Sequence, residues 1–355
     1  MLDVIIAGGG PAGLAAAIRS AGRGFRTLVL DRSVHPDKAC GEGLMPSGAA
    51  ELAKLGARIP EACCAPFRGI RYLQEDGTVL EARFGERQGL GIRRTALIAA
   101  LRERALESGA RIEQRSVLGC ATLDQGICVR TDAGTMEARL LIAADGLQSP
   151  LRRAAGLAVD GSGSLRFGLR RHFTLRPWTD FVEVYWADGL EAYVTPVAAD
   201  LVNVAFLRDR DGDGDFAGMI DRFPRLRERV GTAAFASDLR GAGPLLQRVR
   251  ARWAPRLALI GDAAGYVDAI TGQGLSLAFA ASAILLDALP ADLSGDLSDA
   301  LRRYDRKLRA RWLSYALPAS ALVALSRRPA LRRAAFRAVA RVPFAFAGIV
   351  RAVGG

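Results

Sequence analysis

Lysine is nearly missing from this chain: Lys38, Lys54 and Lys307 are the only three among 49 Lys and Arg residues. Together with heavy alanine use, the arginine excess reads as the mark of a GC-rich genome and not of arginine-specific chemistry. Histidine is scarcer still. His35 and His172 are the two present, and without a Ser/His/Asp set or ligands at metal spacing neither hydrolysis nor a metal site is expected. Five cysteines, Cys40, Cys63, Cys64, Cys120 and Cys128, make an odd set with no C-x-x-C pair. That argues against a disulfide frame or zinc site and for reduced thiols in a cytoplasmic protein. No apolar run reaches the ~18 residues needed to cross a bilayer. The run Leu2–Ala7 has no basic stretch ahead of it and carries Asp3, so it is expected to be a first strand and not a secretory signal. No acidic residue falls between Arg306 and Gly355, where eleven cations lie, so nearly all of the +12 net charge belongs to that tail. A basic tail without a nucleic-acid motif excludes nucleic acid as an expected partner.

What is present is a chain of 355 residues, half of them apolar, which suffices for a sizeable core in about two lobes. Leu2–Ala7 runs into Gly8-Gly9-Gly10-Pro11-Ala12-Gly13, then a helical stretch to Gly22, then Thr27–Leu30 ending on Asp31. This is a βαβ opening with G-x-G-x-x-G at Gly8, Gly10 and Gly13. Gly8 permits the tight turn, Gly10 lets backbone approach a pyrophosphate, Gly13 lets helix pack on strand, and Asp31 is placed to accept from a ribose hydroxyl. Helices are expected at 47–55 and 94–108, strands over 67–92, 111–120, 126–131, 135–140 and 140–144, and four more strands over 164–208. The acidic, glycine-rich 209–215 lacks the spaced glutamate of a calcium loop and is expected to be a solvated turn. A helix is expected over 216–230, a return to the first sheet at 256–260, and helix from there almost to the end.

Three separated segments together resemble the FAD-dependent oxidoreductases built like the aromatic hydroxylases: Gly8–Gly13; Ala144-Asp145-Gly146 through Arg152; and Gly261-Asp262 continuing through Thr271-Gly272-Gln273-Gly274-Leu275. The resemblance covers residues 1 to about 310. It implies an α/β fold: a Rossmann-like doubly wound FAD-binding domain, an inserted antiparallel β-sheet substrate domain and a C-terminal helical region. The expected division is FAD-binding 1–66, 93–160 and 254–305, substrate domain 67–92 and 161–253, and a basic helical tail 306–355. FAD outreaches one βαβ unit, so further segments must return to the sheet. The implied cofactor set is Gly8, Gly10, Pro11, Ala12, Gly13, Asp31, Arg32, Arg94, Val117, Asp145, Gly261, Asp262, Gly272, Gln273, Gly274 and Leu275. In it Asp262 faces the ribityl chain, Gly272 and Gly274 approach the isoalloxazine ring at a helix start, and Arg94 lies near the pyrophosphate.

Two branches of the family compete. Cys40-Gly41-Glu42-Gly43-Leu44, the stretch Gly261–Ala269 and the aromatics Tyr185-Trp186 and Tyr193 are similar to the geranylgeranyl reductases, yet such stretches also occur in secondary-metabolite hydroxylases. The leading expectation is NAD(P)H-dependent hydroxylation, through a flavin C4a-hydroperoxide, of a hydrophobic aromatic or polyketide-like molecule. The alternative is hydride transfer to an isoprenoid double bond with a protein acid, Cys40 or Glu42, supplying the proton. A third is a cyclase using FAD without net redox change. Halogenases need a flavin-side lysine and a Trp-x-Trp segment, and the four tryptophans here form no such pair. His172 shares a strand face with Arg170 and Thr174, directed either at a substrate or at solvent; His35 lies in a loop beside Pro36. No second nucleotide fingerprint is visible, which fits transient NAD(P)H docking and leaves an external reductase open. The tail alternates arginines with Leu331, Phe336 and Phe344, as expected of a segment that lies on an anionic membrane or caps the protein.

Overall fold

A computed structural model describes residues 1–33, 37–159, 166–209, 215–342, 344, 346–348 and 350. His35 and most of the acidic 209–215 segment lie outside them. Leu2–Ala7 forms the centre of a sheet, with Thr27–Asp31 and Arg111–Gln114 parallel on one side and Gly134–Ala143 and Leu257–Leu259 parallel on the other. Strand order therefore reverses at Leu2–Ala7, which opens a crevice beyond its carboxyl end, at Gly8. At the centre of the sheet, Val4–Ala7, Leu28–Leu30, Leu140–Ala143 and Leu257–Leu259 are apolar and buried, as strands covered on both faces require, whereas the edge strand Arg111–Gln114 is polar and partly exposed. The helices Pro11–Gly22, Arg94–Glu107 and Gly274–Ala288 pack over them.

A seven-stranded sheet makes the second layer: Arg240–Ala242, Arg166–Thr174, Leu201–Asp209, Leu190–Ala198, Phe181–Ala187, Gly69–Gln74 and Val79–Arg83. Five of its six neighbouring pairs are antiparallel, but Phe181–Ala187 and Gly69–Gln74 run parallel, because the second arrives from a segment more than a hundred residues earlier. Gly89–Ile92 is not part of this sheet. It pairs with Gly43–Leu44 and Cys64–Phe67 in a small sheet of its own.

Four expected elements differ. The run 111–120 is two strands, Arg111–Gln114 in the parallel sheet and Val117–Leu123 in an antiparallel hairpin with Gly126–Thr131, since a single alternation does not reveal a change of partner. The runs 135–140 and 140–144 are one strand, Gly134–Ala143. The helix over 216–230 is broken into Phe216–Asp221 and Pro224–Val230, because Pro224 forces Phe223 out of helical backbone, with φ −124° and ψ 85°. The boundary at 305/306 falls inside one helix, Ser298–Ser326.

Both alternatives for the tail involve its packing, and Pro329–Ala340 caps the protein. Phe336 stacks on Tyr72 and meets Trp186 edge-on. Arg332, fully buried, donates to Gln74 Oε1 at 2.8 Å, the Ala187 carbonyl at 2.9 Å and Asp188 Oδ1 at 2.9 Å. No helix among the described residues is long and apolar enough to cross a membrane.

Candidate active site

The glycine motif is built by close approach. Gly8 has φ +111°, and a Cβ there would come 2.3 Å from the Ala144 carbonyl oxygen. A Cβ at Gly13 would fall 1.9 Å from the Gly8 carbonyl oxygen, so helix and turn touch backbone to backbone. Pro11 occupies the first turn of the helix that Gly10 opens, leaving its free N–H groups directed at the crevice. Asp31 accepts from Gly9 N through one oxygen and from Ser33 N, at 2.8 Å, through the other, and Arg32 beside it is exposed. Gly261, at φ +59°, abuts Ala12: a Cβ would sit 2.7 Å from that of Ala12. The Gly-Asp segment is thereby held against the first helix.

Around the crevice stand Arg94, Asp145, Asp262 and Lys38. Arg94 is the nearest neighbour of the space over Gly10, its Nη2 3.9 Å from a Cβ placed there. Burial pushes the carboxyls of Asp145 and Asp262 up, while Arg94, Lys38 and Arg152 hold Asp262 down. Gly272, at φ +67°, borders open space, and Gly274 begins the helix Gly274–Ala288 against the Tyr266 ring. Gln273 caps that helix, and Leu275 and Val117 are half-buried against the core. Arg94 Nε, Asp145 Oδ1 and Thr271 Oγ1 are buried polar atoms without a protein partner. Unpaired buried donors and acceptors on the segments around a crevice built with Gly8–Gly13 fit a polar cofactor such as FAD, whose pyrophosphate Gly8–Gly13 would hold and whose ribose Asp31 would hold.

The three acid–base candidates are brought together. Cys40 lies half-buried against Arg94, its Sγ accepting from Glu42 N at 3.3 Å. Glu42 is buried in left-handed backbone, φ +57°, and both its oxygens are engaged: Oε1 accepts from Arg94 N at 2.8 Å and Oε2 from His172 Nε2. His172 is fully buried and does not face solvent. Arg93, Arg170 and Ser237 Oγ all approach its Nδ1, so Nδ1 accepts and Nε2 carries the proton. Burial, with Arg93 and Arg170 alongside, holds its pKa below the usual value despite Glu42. Burial pushes the Cys40 thiol up, with Arg94 opposing.

Several participants were not legible from motifs. Lys38 reaches into the crevice: a Cβ at Gly146 would come 2.8 Å from its Nζ, and desolvation by the walls lowers its pKa. Its signal was its rarity, a lysine where this chain otherwise uses arginine. Arg152 is buried and donates to the carbonyls of Leu147 at 2.8 Å and of Asp262 and Ala263 at 3.2 Å, stapling the Asp-Gly segment to the Gly-Asp turn. Arg170 clamps the loop before Cys40 through Asp37 and the Lys38 carbonyl.

Residues 1–313 match the FAD binding domain family. The chain belongs to the FAD-dependent oxidoreductases. Among its relatives, the menaquinone reductase of Mycobacterium tuberculosis is 31% identical over 301 residues, 77% of this chain and 72% of that protein. A digeranylgeranylglycerophospholipid reductase of Methanopyrus kandleri is 26% identical over 357 residues, 90% and 85% of the two chains. Among solved structures, the flavin-dependent brominase Bmp2 superposes with a TM-score of 0.86 at 18% identity, over 99% of this chain and 93% of its own. At that identity the likeness is one of fold. FAD is thus the cofactor of this flavoprotein family, and the crevice described above is where the chain's residues would hold it.

Proposed function

We propose that this flavoprotein reduces a carbon–carbon double bond in an isoprenoid side chain, with NAD(P)H as the transient reductant. The observation that carries the reading is Cys40: a thiol kept protonated by desolvation, on a braced loop against Arg94 at the cofactor crevice. Reduced FAD, held by Gly8–Gly13, Asp31 and the Gly261–Gly274 segment, would supply hydride chemistry toward one carbon of the double bond. The Cys40 thiol gives its proton to the other carbon, so that two hydrogens are added and no atom is lost. Arg94 and the Glu42 N–H then stabilise the thiolate left behind. Glu42 does not serve as the acid, because both of its oxygens are committed to holding the loop. The two relatives named above, a menaquinone reductase and a digeranylgeranylglycerophospholipid reductase, support this choice over ring hydroxylation.

The test is anaerobic incubation of the holoprotein with NADPH and a menaquinone carrying an unsaturated side chain. A product heavier by two hydrogens is expected, the gain persisting after any quinol has been reoxidised in air. Cys40→Ala should keep its flavin absorbance and lose on the order of a hundredfold in kcat. A product that forms only with oxygen present and gains an oxygen atom would overturn the proposal in favour of hydroxylation.

A further inference from the structure

The tail's cations divide into two sets. Arg327, Arg332, Arg333 and Arg337 are spent on the protein, paired with Asp209, Asp188, Glu75 and Asp76. Arg306, Lys307, Arg309, Arg311, Arg328 and Arg341 are exposed and have no ion pair among the described residues, and of these Arg306, Lys307, Arg309 and Arg328 border one apolar face. These four surround something specific. On the helix Ser298–Ser326, Leu308, Tyr315, Ala316 and Ala319 face the core, and the opposite side is solvent-exposed. That side carries Ala310, Leu313, Leu317, Ala321 and Ala324, a continuous stripe at i, i+3 and i+4 spacing, with Leu313 47% and Leu317 67% exposed. Arg306 falls at the start of the stripe and Arg309 and Lys307 at its flanks, while Arg328 follows just beyond the end of the helix.

We infer that this face of the helix docks on the surface of an anionic lipid bilayer, the stripe resting in the headgroup boundary and the four cations on lipid phosphates. Charge complementarity selects the occupant. A second copy of the chain would oppose cation to cation, and with no acidic residue from Arg306 onward nothing within the tail would relieve that. A nucleic acid would match the cations and leave the apolar stripe unpaired. A bilayer of anionic lipid satisfies both features along one helix. The inference deepens the lipid-side-chain reading by supplying the place where such a substrate resides, but it rests on this surface and not on the crevice.

The experiment is co-sedimentation of the full-length holoprotein with vesicles of phosphatidylcholine, with and without phosphatidylglycerol, at low and at physiological salt. Binding is expected to the anionic vesicles and to weaken with salt. The Arg306→Gln/Arg309→Gln double variant should partition on the order of twentyfold less, and Leu317→Asp about tenfold less. All variants should keep wild-type flavin content and thermal midpoint, since the substituted side chains touch neither core nor crevice. Equal binding to neutral and anionic vesicles, binding to neither, tighter binding to duplex DNA, or a dimer that Leu317→Asp dissolves would each overturn the inference. Failure of side-chain reduction with vesicle binding intact would fall on the proposed reaction alone. Turnover of a short-chain quinone without vesicle binding would fall on this surface alone.

Discussion

His172 carries more structural weight than one ring ordinarily would. It is the donor for one oxygen of a buried glutamate and the acceptor for the groups crowded on its other nitrogen, so neither side has water as a substitute. His172→Phe keeps the volume and removes both functions, which leaves Glu42 with an unpaired buried oxygen. The expected cost is about 3 kcal/mol, read from denaturant unfolding of the holoprotein. The pH dependence has a definite sign. A histidine whose folded pKa is depressed contributes stability that is present above its ordinary value of 6.5 and lost as pH falls below it. Wild type should therefore lose stability on acidification through that window, and His172→Phe should lack this component. The sequence shows His172 on a strand and Glu42 in a glycine-flanked loop. It does not show that two residues 130 positions apart are folded into contact.

At the scale of elements, one buried cluster joins three of them. Arg166 on one substrate-sheet strand pairs with Glu191 on another and with Asp268 in the loop that leads to Gly272, while Ser326 at the end of the long helix bonds Arg166 at 3.0 Å. One guanidinium thus faces two buried carboxyls, with Tyr193 beside them, and burial pushes Glu191 up to about 7. A carboxyl with a raised folded pKa contributes stability that is complete below its ordinary value near 4.5 and is lost as pH rises through about 7. Glu191→Gln removes that titration. Its thermal midpoint should fall less than the wild type's between these two pH values, and an identical slope in both proteins would refute the assignment. Elements of this kind explain what the sequence makes visible. Alternation located all four strands of 164–208 because each is local, and the glycine motif and Asp31 were legible for the same reason. Which strand pairs with which, and that Gly69–Gln74 enters the sheet parallel, depend on contacts between distant segments that no local pattern carries. The staples Arg152 and Arg170 are hidden likewise, since an arginine that bonds carbonyls looks like any surface arginine until the chain closes around it.

Over the whole molecule, the last helices act as a strap from the FAD domain across the back of the substrate sheet. The helix Ser298–Ser326 begins against the FAD sheet, where the Tyr304 hydroxyl donates to the Leu259 carbonyl, and the following helix ends over Tyr72 and Trp186. Arg332 is the fastening. It joins two adjacent hairpin turns, at 74–76 and 187–189, and has no exposure to solvent. Arg332→Ala would leave the buried Gln74 Oε1 and Ala187 carbonyl without their donor and open a cavity of arginine size, at a cost of about 3 kcal/mol. Because the first sheet does not depend on this contact, flavin should remain bound while the strap loosens. The check is hydrogen exchange of the holoprotein: amides of Gly69–Gln74 and Phe181–Ala187 should lose protection, and those of Leu2–Ala7 should not. Uniform loss across both sheets would mean that the domains unfold as one cooperative unit. Selective loss would make the strap the element that sets how firmly the substrate sheet is held over the crevice, and hence how a bulky, lipophilic substrate gains entry.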